Sequence, residues 1–465
     1  MRIIVQKFGG TSVAHPEKRA EAARRVVQAY HNGYRPVVVV SAMGRKGEPY
    51  ATDTLIELAH GVDLELDMDG RDLDLLMACG EIISTVLMAQ GIRSLGGIKA
   101  IPLSGGQAGI VTDRNFNNAR ILHIKPENIL AELAEDKVVV VAGFQGITMY
   151  KDVHRHGDVT TLGRGGSDAT AVALGAVLKA ERVEIFTDVE GVMTGDPRLV
   201  GPDARTLRSI SHAEICEMAH LGAKVVQARA AVIARQHNVE TWVKSPTSDS
   251  PGTVVRRLEP VVLEGITTVA GVAQSEPVAR INVHIPIEAD RRPLEQEIYA
   301  ALSVAAVAVH FVSNTNEEIE FVVEREQLHD VRAVFDGLLI PVGDEAQPSQ
   351  RRVYVLCPNA RSAFFRAQVE QVKRLRVKPI TVPVLTSGHC IFVSLVMGHI
   401  ANKAAVMATM LEALRTAEVK VLQLADSDHS VSCLINEEDK NRAVLALHNM
   451  MNAKVAAGEW VMTDR

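Results

Sequence analysis

Aromatic residues and cysteines are scarce in this sequence, and each scarcity excludes a class of protein. Phe, Trp and Tyr make up only 4% of the 465 residues, whereas single-stranded nucleic acid is bound on repeated aromatic platforms. The five cysteines lie far apart without a C-x-x-C pair, so we expect reduced thiols rather than disulfides or structural zinc. The longest aliphatic runs, such as Val37–Val40, are strand-sized and far short of the roughly 20 residues that span a bilayer.

Positive charge is also not in excess. Lys and Arg number 50 against 56 Asp and Glu, a formal net charge of -6, which gives no general attraction for nucleic acid or anionic membranes. We therefore expect no nucleic-acid partner and no membrane partner. Without a signal-peptide pattern after Met1, a cytoplasmic location is expected. The 47% hydrophobic and 23% charged residues are ordinary for a globular chain of two or three domains.

The first half of the chain alternates short β-branched runs with helical patterns. Val37–Val40, Val138–Val141 and Val183–Phe186 are predicted strands, and Pro16–Tyr30 is a predicted helix with Pro near its start and Gly33 beyond its end. This alternation predicts an α/β domain with a doubly wound, mostly parallel sheet. Ligands of such sheets bind beyond the carboxyl ends of the strands, so candidate site residues are sought there.

In the second half of the chain the predicted strands and helices follow a different order, which predicts α+β modules. Two βαββα patterns follow a stretch rich in turn formers, Ser245–Gly252. The stretch between the two patterns holds a possible strand, helix and strand whose assignment stays open. The predicted division of the chain is a catalytic domain over 1–245, a linker over 246–264, modules over 265–342 and 390–465, and an insertion of uncertain structure over 343–389.

The first candidate site motif, KFGGTS, begins at Lys7 and follows the first predicted strand directly. Gly9 and Gly10 allow the backbone to approach a ligand closely, and the Lys7 ammonium can stabilise a transferring phosphoryl group. A plain strand-to-helix turn with a solvated lysine is the alternative. The motif is not the P-loop GxxxxGK[ST], which is absent from the sequence.

Two further motifs carry charged groups. TLGRGGSD, beginning at Thr161, places Arg164 and Asp168 at a fixed spacing that suits a zwitterion, although it also reads as a helix-capping turn. TDVEGVMTGDPR, beginning at Thr187, gathers acidic groups that suit a nucleotide with Mg²⁺, although a surface loop is the alternative. The run His154–His156 lacks an evident acidic or cysteine partner, and we interpret it as a solvated loop rather than a metal site.

These motifs, in one order, resemble those of a known family. Together with SAMG at Ser41, CGE at Cys79 and GFQG at Gly143, they look like the aspartate kinases (aspartokinases) of the amino-acid kinase superfamily. The resemblance is closest to monofunctional Gram-positive forms, covers about residues 1–260 well, and extends more loosely over tandem ACT domains. It implies an amino-acid kinase fold and ATP-dependent phosphorylation of the L-aspartate side-chain carboxylate, the entry to lysine, threonine, methionine and diaminopimelate synthesis.

The resemblance also assigns roles to individual residues. Lys7 and Asp188 would be catalytic. The residues that would bind ATP are Lys7, Phe8, Gly9, Gly10, Ser12, Phe186, Thr187, Asp188, Met193, Asp196, Arg198 and Lys224. The residues that would bind aspartate are Ser41, Thr52, Glu81, Phe144, Arg164, Ser167 and Asp168. ATP would act as co-substrate with Mg²⁺, and no metal ligands are assigned to the chain itself.

The family pattern further implies a homo-oligomer and an amino-acid effector at the ACT modules. The sequence departs from that pattern at Gln227–Ala228, where His-Pro is frequent, and at Met193, where tyrosine is frequent. The Pro-Gly effector turn usual in the family is not found after the first strand of either module, where the sequence reads PIEADRRP from Pro286 and GHIAN from Gly398. Two alternative functions remain open: another amino-acid kinase acting on glutamate or acetylglutamate, and a non-catalytic amino-acid sensor of the ACT type.

Overall fold

A computed structural model describes the chain outside a few short segments. The described residues are 1–62, 68–149, 157–223, 225–258, 266–286, 291–342 and 352–464. They form two compact units. The first unit comprises residues 1–272, 396–403 and 451–465, and the second comprises 273–395 and 404–450.

The α-helices and strands up to residue 274 are, in chain order, β1 (Ile3–Phe8), α1 (Gly10–Val13), α2 (Pro16–His31), β2 (Arg35–Val40), α3 (Thr52–His60), α4 (Gly70–Gly96), β3 (Ala100–Leu103), β4 (Ile110–Thr112), β5 (Ile121–Ile124), α5 (Glu127–Ala134), β6 (Val138–Ala142), β7 (Gln145–Thr148), β8 (Val159–Thr161), α6 (Gly166–Val177), β9 (Arg182–Phe186), α7 (Pro197–Val200), β10 (Ser209–Ser211), α8 (His212–His220), α9 (Ala228–His237), β11 (Thr241–Lys244), β12 (Thr253–Arg256) and β13 (Thr267–Gln274).

An eight-stranded sheet in the order β10-β12-β11-β9-β1-β2-β6-β3 forms the centre of the first unit. The six strands from β11 to β3 are parallel, and β12 runs antiparallel to β11. The side chains of Val37–Val40 and Val138–Val141 are fully buried, as expected for strands covered on both faces. The predicted doubly wound, mostly parallel sheet is confirmed.

Helices cover both faces of this sheet because side chains alternate along each strand. Phe8, Val38 and Val40 pack in one core with residues of α2 and α4, including Val26 and Met88. The opposite face is covered by α6, which contacts β1, β2 and β9 and packs on α9. The helix predicted over Pro16–Tyr30 is observed as α2.

A second, four-stranded sheet in the order β5-β4-β7-β8 also belongs to the first unit. Its strands have three or four residues each and carry too little periodicity to stand out in the sequence. β8 ends at Thr161 and leads directly into the TLGRGGSD motif. This small sheet therefore positions one of the predicted binding loops.

The long helix α4 runs along the first unit for 27 residues. Its length and apolar composition alone would allow it to cross a membrane, which was not expected from the sequence. Half of its most apolar stretch is buried inside the protein, and core helices of water-soluble proteins can have the same length and composition. The buried side is explained by the packing of Met88, Ala89 and Ile92 against the central sheet.

The α-helices and strands from residue 278 onward are β14 (Val278–His284), α10 (Arg291–Val304), β15 (Val309–Asn314), β16 (Glu318–Glu324), α11 (Leu328–Phe335), β17 (Leu339–Val342), β18 (Arg352–Cys357), α12 (Ala363–Arg374), β19 (Lys378–His399), α13 (Lys403–Thr416), β20 (Val421–Asp426), β21 (Ser430–Asn436), α14 (Lys440–Ala456) and β22 (Trp460–Met462).

In the second unit the 22-residue strand β19 pairs with β14, β18 and β21. β16 joins β14 to the edge strand β15, β17 pairs with β18, and β20 pairs with β21. The helices α10 and α11 contribute Leu294, Ile298, Val331 and Phe335 to a core beneath β14 and β16. The α+β character predicted for this half is confirmed.

Three predicted boundaries differ from the observed elements. The linker predicted over 246–264 is wrong for Thr253–Arg256, because these residues form β12 and pair with β10 and β11. The module predicted over 390–465 begins too late, since β19 starts at Lys378, and its last residues, 451–465, belong to the first unit. The described part of the predicted insertion contains β18, α12 and the start of β19.

The described part of the segment predicted as an uncertain insertion contributes to the core of the second unit. Tyr354 of β18 is 1% exposed and packs in the same cluster as Ile281 and Phe321. Replacing Tyr354 by Ala is expected to destabilise the second unit by about 3–5 kcal/mol, because a large buried ring leaves a cavity. Hydrogen exchange of the β18 and β19 amides would measure the loss.

The matched control is Phe364→Ala. Phe364 lies on α12 in the same segment, but 57% of its surface is exposed. Its truncation should change the protection of these amides by less than about 1 kcal/mol. Equal effects of the two variants would show that this segment is not packed into the core.

Candidate active site

Five parallel strands of the first sheet end in one row. Lys244, Phe186, Phe8, Val40 and Ala142 are the last residues of β11, β9, β1, β2 and β6, and they pair in register across the sheet. The loops that follow β9, β1, β2 and β6 therefore start side by side. These loops contain the predicted motifs TDVEG, GGTS, SAMG and GFQG.

The glycine turn after β1 lies against the loop after β2. A Cβ atom on Gly10 would stand 2.6 Å from the carbonyl oxygen of Ala42, closer than side chains approach. The Gly44 amide donates a hydrogen bond of 3.1 Å to the Gly10 carbonyl oxygen. Only glycine fits at residue 10, which leaves backbone rather than side chain at this point of the edge.

The Lys7 ammonium and the Asp168 carboxylate form an ion pair beside this turn. Their Nζ and Oδ1 atoms are 2.6 Å apart, and the two side chains are only 12% and 8% exposed. Lys7 Nζ is also 3.4 Å from the Cβ position of Gly9. The predicted KFGGTS and TLGRGGSD motifs thus meet through a partly desolvated charge pair, whose attraction is stronger than at the surface.

Glu81 is a buried carboxyl group at the same edge. It lies on α4 with 2% exposure, and its Oε1 accepts a hydrogen bond of 2.9 Å from the Ala42 amide. Burial raises the pKa of Glu81 from 4.5 to about 8, although the Ala42 hydrogen bond opposes the shift. Its Oε2 has no hydrogen-bond partner among the described residues. The oxygen either carries a proton or requires a donor from a ligand.

The TLGRGGSD turn is shaped by two glycines with left-handed backbones. Gly163 has φ of 73° and Gly165 has φ of 75°, values that disfavour other residues. A Cβ atom on Gly165 would overlap the Gln227 side chain at 2.0 Å, so the unusual Gln227 packs directly on this turn. Arg164 projects between them as an exposed side chain.

A buried carboxylate missed at the sequence level anchors this turn. Asp74 of α4 is fully buried and accepts hydrogen bonds from the Thr161 amide at 2.9 Å, the Thr161 hydroxyl at 2.5 Å and the Asn117 amide at 3.0 Å. Burial raises the pKa of Asp74, and the hydrogen bonds partly counteract that shift. The available signal was an acid between the apolar Leu73 and Leu75 of α4.

Phe144 has an unusual backbone that joins the loop after β6 to the TLGRGGSD turn. Its φ is 68°, and its amide donates to the Thr170 hydroxyl at 3.2 Å, while its carbonyl accepts from the Leu162 amide. The Phe144 side chain is 9% exposed, and the nearby Ser167 is 6% exposed. The loop after β6 is therefore tied to the TLGRGGSD turn.

The TDVEG loop after β9 presents exposed polar groups. The Thr187 amide donates to the Lys244 carbonyl, and its hydroxyl donates to Asp188 Oδ1 at 3.2 Å. Asp188 Oδ2 is 3.1 Å from Arg45 Nη2, in a pair whose side chains are 60% and 71% exposed. Arg45, which follows SAMG, was not among the predicted site residues.

The remaining predicted ATP residues lie further along this segment. Met193 forms an isolated bridge with Thr206. Asp196 caps α7 and forms an ion pair with Arg198, whose side chain is 85% exposed. These residues follow the TDVEG loop along the same segment, at and before the start of α7.

The other predicted site residues differ in burial and in their position relative to the loops. Phe8 and Phe186 are buried and stack with ring centroids 4.7 Å apart, which places them beneath the loops. Ser12 is buried and donates its amide to the Gly9 carbonyl. Ser41 and Thr52 are half-buried after β2 and at the start of α3. The predictions for Lys224 and for His154–His156 lie outside the described residues.

The sequence departure after Gln227 also has a structural role. Arg229 at the start of α9 donates hydrogen bonds to the carbonyl oxygens of Ala119 and Leu162 and to the side chain of Asn118. It thereby joins the Asn118–Ala119 segment to the chain just before Gly163. Arg229 does not stand out in the sequence, because its partners lie far from it along the chain.

Comparisons with known proteins identify the family of this fold. The model of the amino acid kinase family matches residues 2–245, and that of the ACT domain matches residues 386–449. Aspartokinase 1 of Bacillus subtilis is 37% identical over 455 residues, which cover 97% of this chain and 99% of the relative. The aspartokinase of Corynebacterium glutamicum is 35% identical over 450 residues, or 96% of each chain.

Solved structures show the same fold. Aspartokinase III of E. coli in complex with aspartate and ADP has a TM-score of 0.71 at 21% identity, over 97% of this chain and 100% of that one. The same enzyme with lysine and aspartate has a TM-score of 0.65 at 22% identity, over 96% and 99%. The fold and the site define a member of the amino acid kinase family. Within that family, the chain belongs to the aspartokinases.

The anchoring role of Asp74 gives a stability prediction. Asp74→Asn should destabilise the first unit by about 2–3 kcal/mol, because an amide has one accepting oxygen and turns its own donors toward the Thr161 and Asn117 amides. Both tryptophans, Trp242 and Trp460, lie in this unit, so urea unfolding followed by their fluorescence reports it.

The control is Asp72→Asn on the same helix. Asp72 is 58% exposed and pairs with the exposed Arg71, so its substitution should cost less than about 1 kcal/mol. If both variants unfold at the same urea concentration, the Asp74 hydrogen bonds do not anchor the turn.

The raised pKa of Glu81 gives a pH prediction. Folding favours the protonated carboxyl, so the wild type should lose stability relative to Glu81→Gln as the pH rises from about 4.5 to about 8. The full difference has an upper bound on the order of 5 kcal/mol, and it is absent below pH 4.5 because both states are then protonated.

Urea unfolding at pH 5, 6.5 and 8 would measure this difference. Other titrating groups are shared by the two proteins and cancel when their unfolding free energies are subtracted. Parallel stability curves for wild type and Glu81→Gln would contradict the raised pKa.

Proposed function

We propose that the carboxyl edge of the first sheet binds ATP and L-aspartate side by side and transfers the γ-phosphoryl group to the aspartate side chain, giving 4-phospho-L-aspartate. Membership of the aspartokinases supports an ATP-dependent kinase that acts on a carboxyl group. The observation that carries the proposal is the Lys7–Asp168 pair at 2.6 Å beside the Gly9–Gly10 turn. The Lys7 ammonium therefore lies next to a turn whose two glycines carry no side chain, where a phosphate group would approach the protein backbone.

The ATP phosphates would lie on the glycine turn after β1. Gly9 carries no side chain beside the Lys7 ammonium, and Lys7 would exchange Asp168 for the γ-phosphate as charge develops on the transferring group. Thr187 and Asp188 would face the nucleotide from the loop after β9, two strands' width from the loop after β2. Met193, Asp196, Arg198 and Lys224 stay predictions for the rest of the nucleotide site.

Mg²⁺ would be bound mainly by the phosphates. This ion keeps several waters and takes one or two carboxylates, which fits the exposed Asp188 at the end of β9. Within the described ranges, no group of three or more His, Cys, Asp or Glu side chains forms a metal site. The ion would therefore arrive with ATP and neutralise charge on it.

Aspartate would lie between the turn at Gly163–Gly165 and the buried Glu81. The exposed Arg164 guanidinium would bind a substrate carboxylate in a bidentate manner. The Glu81 oxygen without a partner would accept a hydrogen bond from the substrate ammonium, and that contact would favour the ionised carboxylate. Ser41, Thr52, Phe144 and Ser167 would complete the pocket.

The chemistry requires little beyond positioning. A side-chain carboxyl group with an ordinary pKa near 4 is ionised at neutral pH, so it can attack phosphorus without a general base. The main obstacle is the repulsion between two anions, which Lys7, Arg164 and Mg²⁺ would screen. When Lys7 turns to the phosphate, its ion pair with Asp168 is broken. The Asp168 carboxylate would then bind the substrate ammonium.

The second unit would regulate this activity. Its ACT match and the lysine complex of E. coli aspartokinase III support an amino-acid effector. Gln423 and Asp426 lie on β20, and Ser427 in the turn that follows accepts a hydrogen bond from the His429 amide. The effector, the homo-oligomer and the cytoplasmic location stay predictions.

Trapping of acyl phosphate with hydroxylamine tests the activity. With ATP and Mg²⁺, L-aspartate should give a hydroxamate, whereas glutamate and acetylglutamate should not. Lys7→Met should lower the rate by about 100-fold or more, because removal of one preorganised charge costs that much at transition states. The matched control is Lys18→Met, which removes an exposed cation of α2 and should leave the rate unchanged.

Each other outcome points to an alternative. A hydroxamate formed with glutamate or acetylglutamate would indicate another amino-acid kinase. Absence of product from folded wild-type protein with every substrate would indicate a non-catalytic sensor. Equal rates for Lys7→Met and Lys18→Met would remove Lys7 from the mechanism.

A further inference from the structure

Arg45 reaches across the candidate active site, and it belongs to neither the predicted ATP-binding residues nor the predicted aspartate-binding residues. It follows β2, and its Nη2 is 3.1 Å from Asp188 Oδ2 in the loop after β9. β2 and β9 are not neighbours, because β1 lies between them in the sheet. The Arg45 side chain therefore passes over the loop that follows β1, which is the Gly9–Gly10 turn.

The backbone of Arg45 is fixed next to that turn. The preceding residue, Gly44, donates its amide to the Gly10 carbonyl and has φ of 90°. The Arg45 amide donates to Glu48 Oε2 at 2.6 Å, and the Glu48 amide returns a hydrogen bond of 2.9 Å to the Arg45 carbonyl. A short closed turn thus holds the base of the side chain, while 71% of the side chain is exposed.

We propose that Arg45 binds the phosphates of ATP, and that its ion pair with Asp188 is the ligand-free arrangement that Mg-ATP replaces. This inference rests on the proposed function, because it uses the glycine turn as the phosphate site. On binding, the Asp188 carboxylate turns to the metal, and the Arg45 guanidinium turns to the phosphate oxygens.

The charges at this edge favour such an exchange. Both side chains of the Arg45–Asp188 pair are largely exposed, and exposed ion pairs contribute little to stability, so little is lost when the pair separates. A guanidinium has paired donors that match phosphate oxygens, whereas the Lys7 ammonium acts as a compact point charge. Two cations, Lys7 on β1 and Arg45 in the loop after β2, would bind the phosphate chain at two points and limit its rotation.

The neighbouring cation does not share this geometry. Lys46 is 70% exposed and its Nζ is 2.5 Å from Glu57 Oε1 on α3. It has the same charge, almost the same exposure and an ion pair of its own, but its partner belongs to a helix rather than to a loop at the carboxyl edge. Lys46 is therefore a matched control for any general effect of charge in this segment.

Binding of Mg-ATP to the full chain, measured by calorimetry, tests the inference. Arg45→Met should weaken binding by at least about ten-fold, since a hydrogen bond to a charged group is lost, and its affinity should depend less on salt. Arg45→Lys should retain part of the affinity. Lys46→Met should bind as the wild type does, and the KM for aspartate should change less than about two-fold in every variant.

A second set of variants separates direct contact from screening of Asp188. If Arg45 contacts phosphate, Arg45→Met should weaken nucleotide binding in an Asp188→Asn background as well as in the wild type. If Arg45 only screened the Asp188 charge, the loss should disappear in that background, which would overturn the inference.

Other outcomes are equally distinct. Equal ATP affinity for Arg45→Met and Lys46→Met would overturn the role of Arg45 while hydroxamate formation by the wild type still supported the proposed function. Arg45-dependent ATP binding without hydroxamate from any substrate would do the reverse. Circular dichroism of each variant would confirm that the loss does not come from unfolding, and Arg45→Lys provides a charge-retaining comparison.

Discussion

The alignment of parallel strand ends is the constraint on which the candidate active site depends. Phe186, Phe8, Val40 and Ala142 stand in one paired row, so four loops begin at the same edge although their residues are far apart in sequence. The Phe8–Phe186 stack and the valines of the neighbouring strands fix this row from inside the sheet. Polar groups therefore meet at the edge because apolar groups pack beneath it.

The charged groups at this edge differ in their exposure to solvent. Exposure decides how easily each ion pair separates and whether a buried acid is charged. The Lys7–Asp168 pair is partly desolvated, so separating it requires a strong replacement such as phosphate. The Arg45–Asp188 pair is exposed and separates at small cost. Glu81, more buried than either, is held mainly in its neutral form near pH 7. A polyanionic substrate would thus meet cations already in place and an acid whose charge depends on the ligand.

Much of the fold was predictable because its signals are local. Runs such as Val37–Val40 and Val138–Val141 identify strands buried on both faces, and the change of rhythm after Ser245 identifies α+β modules. The small sheet β5-β4-β7-β8 was not predictable, since its strands of three or four residues are defined by pairing with distant segments. Tyr354 shows the same limitation, because only packing reveals that the predicted insertion is core.

The sequence by itself determined the motifs and the family, because glycine turns, charged groups and their order are properties of the chain. It also determined that Lys7 and Arg164 stand at ends of secondary-structure elements. Only the tertiary structure decided which groups meet: Lys7 with Asp168, Arg45 with Asp188, and Asp74 with Thr161. These pairs join residues that are more than 80 positions apart, and their distances depend on the register of the strands.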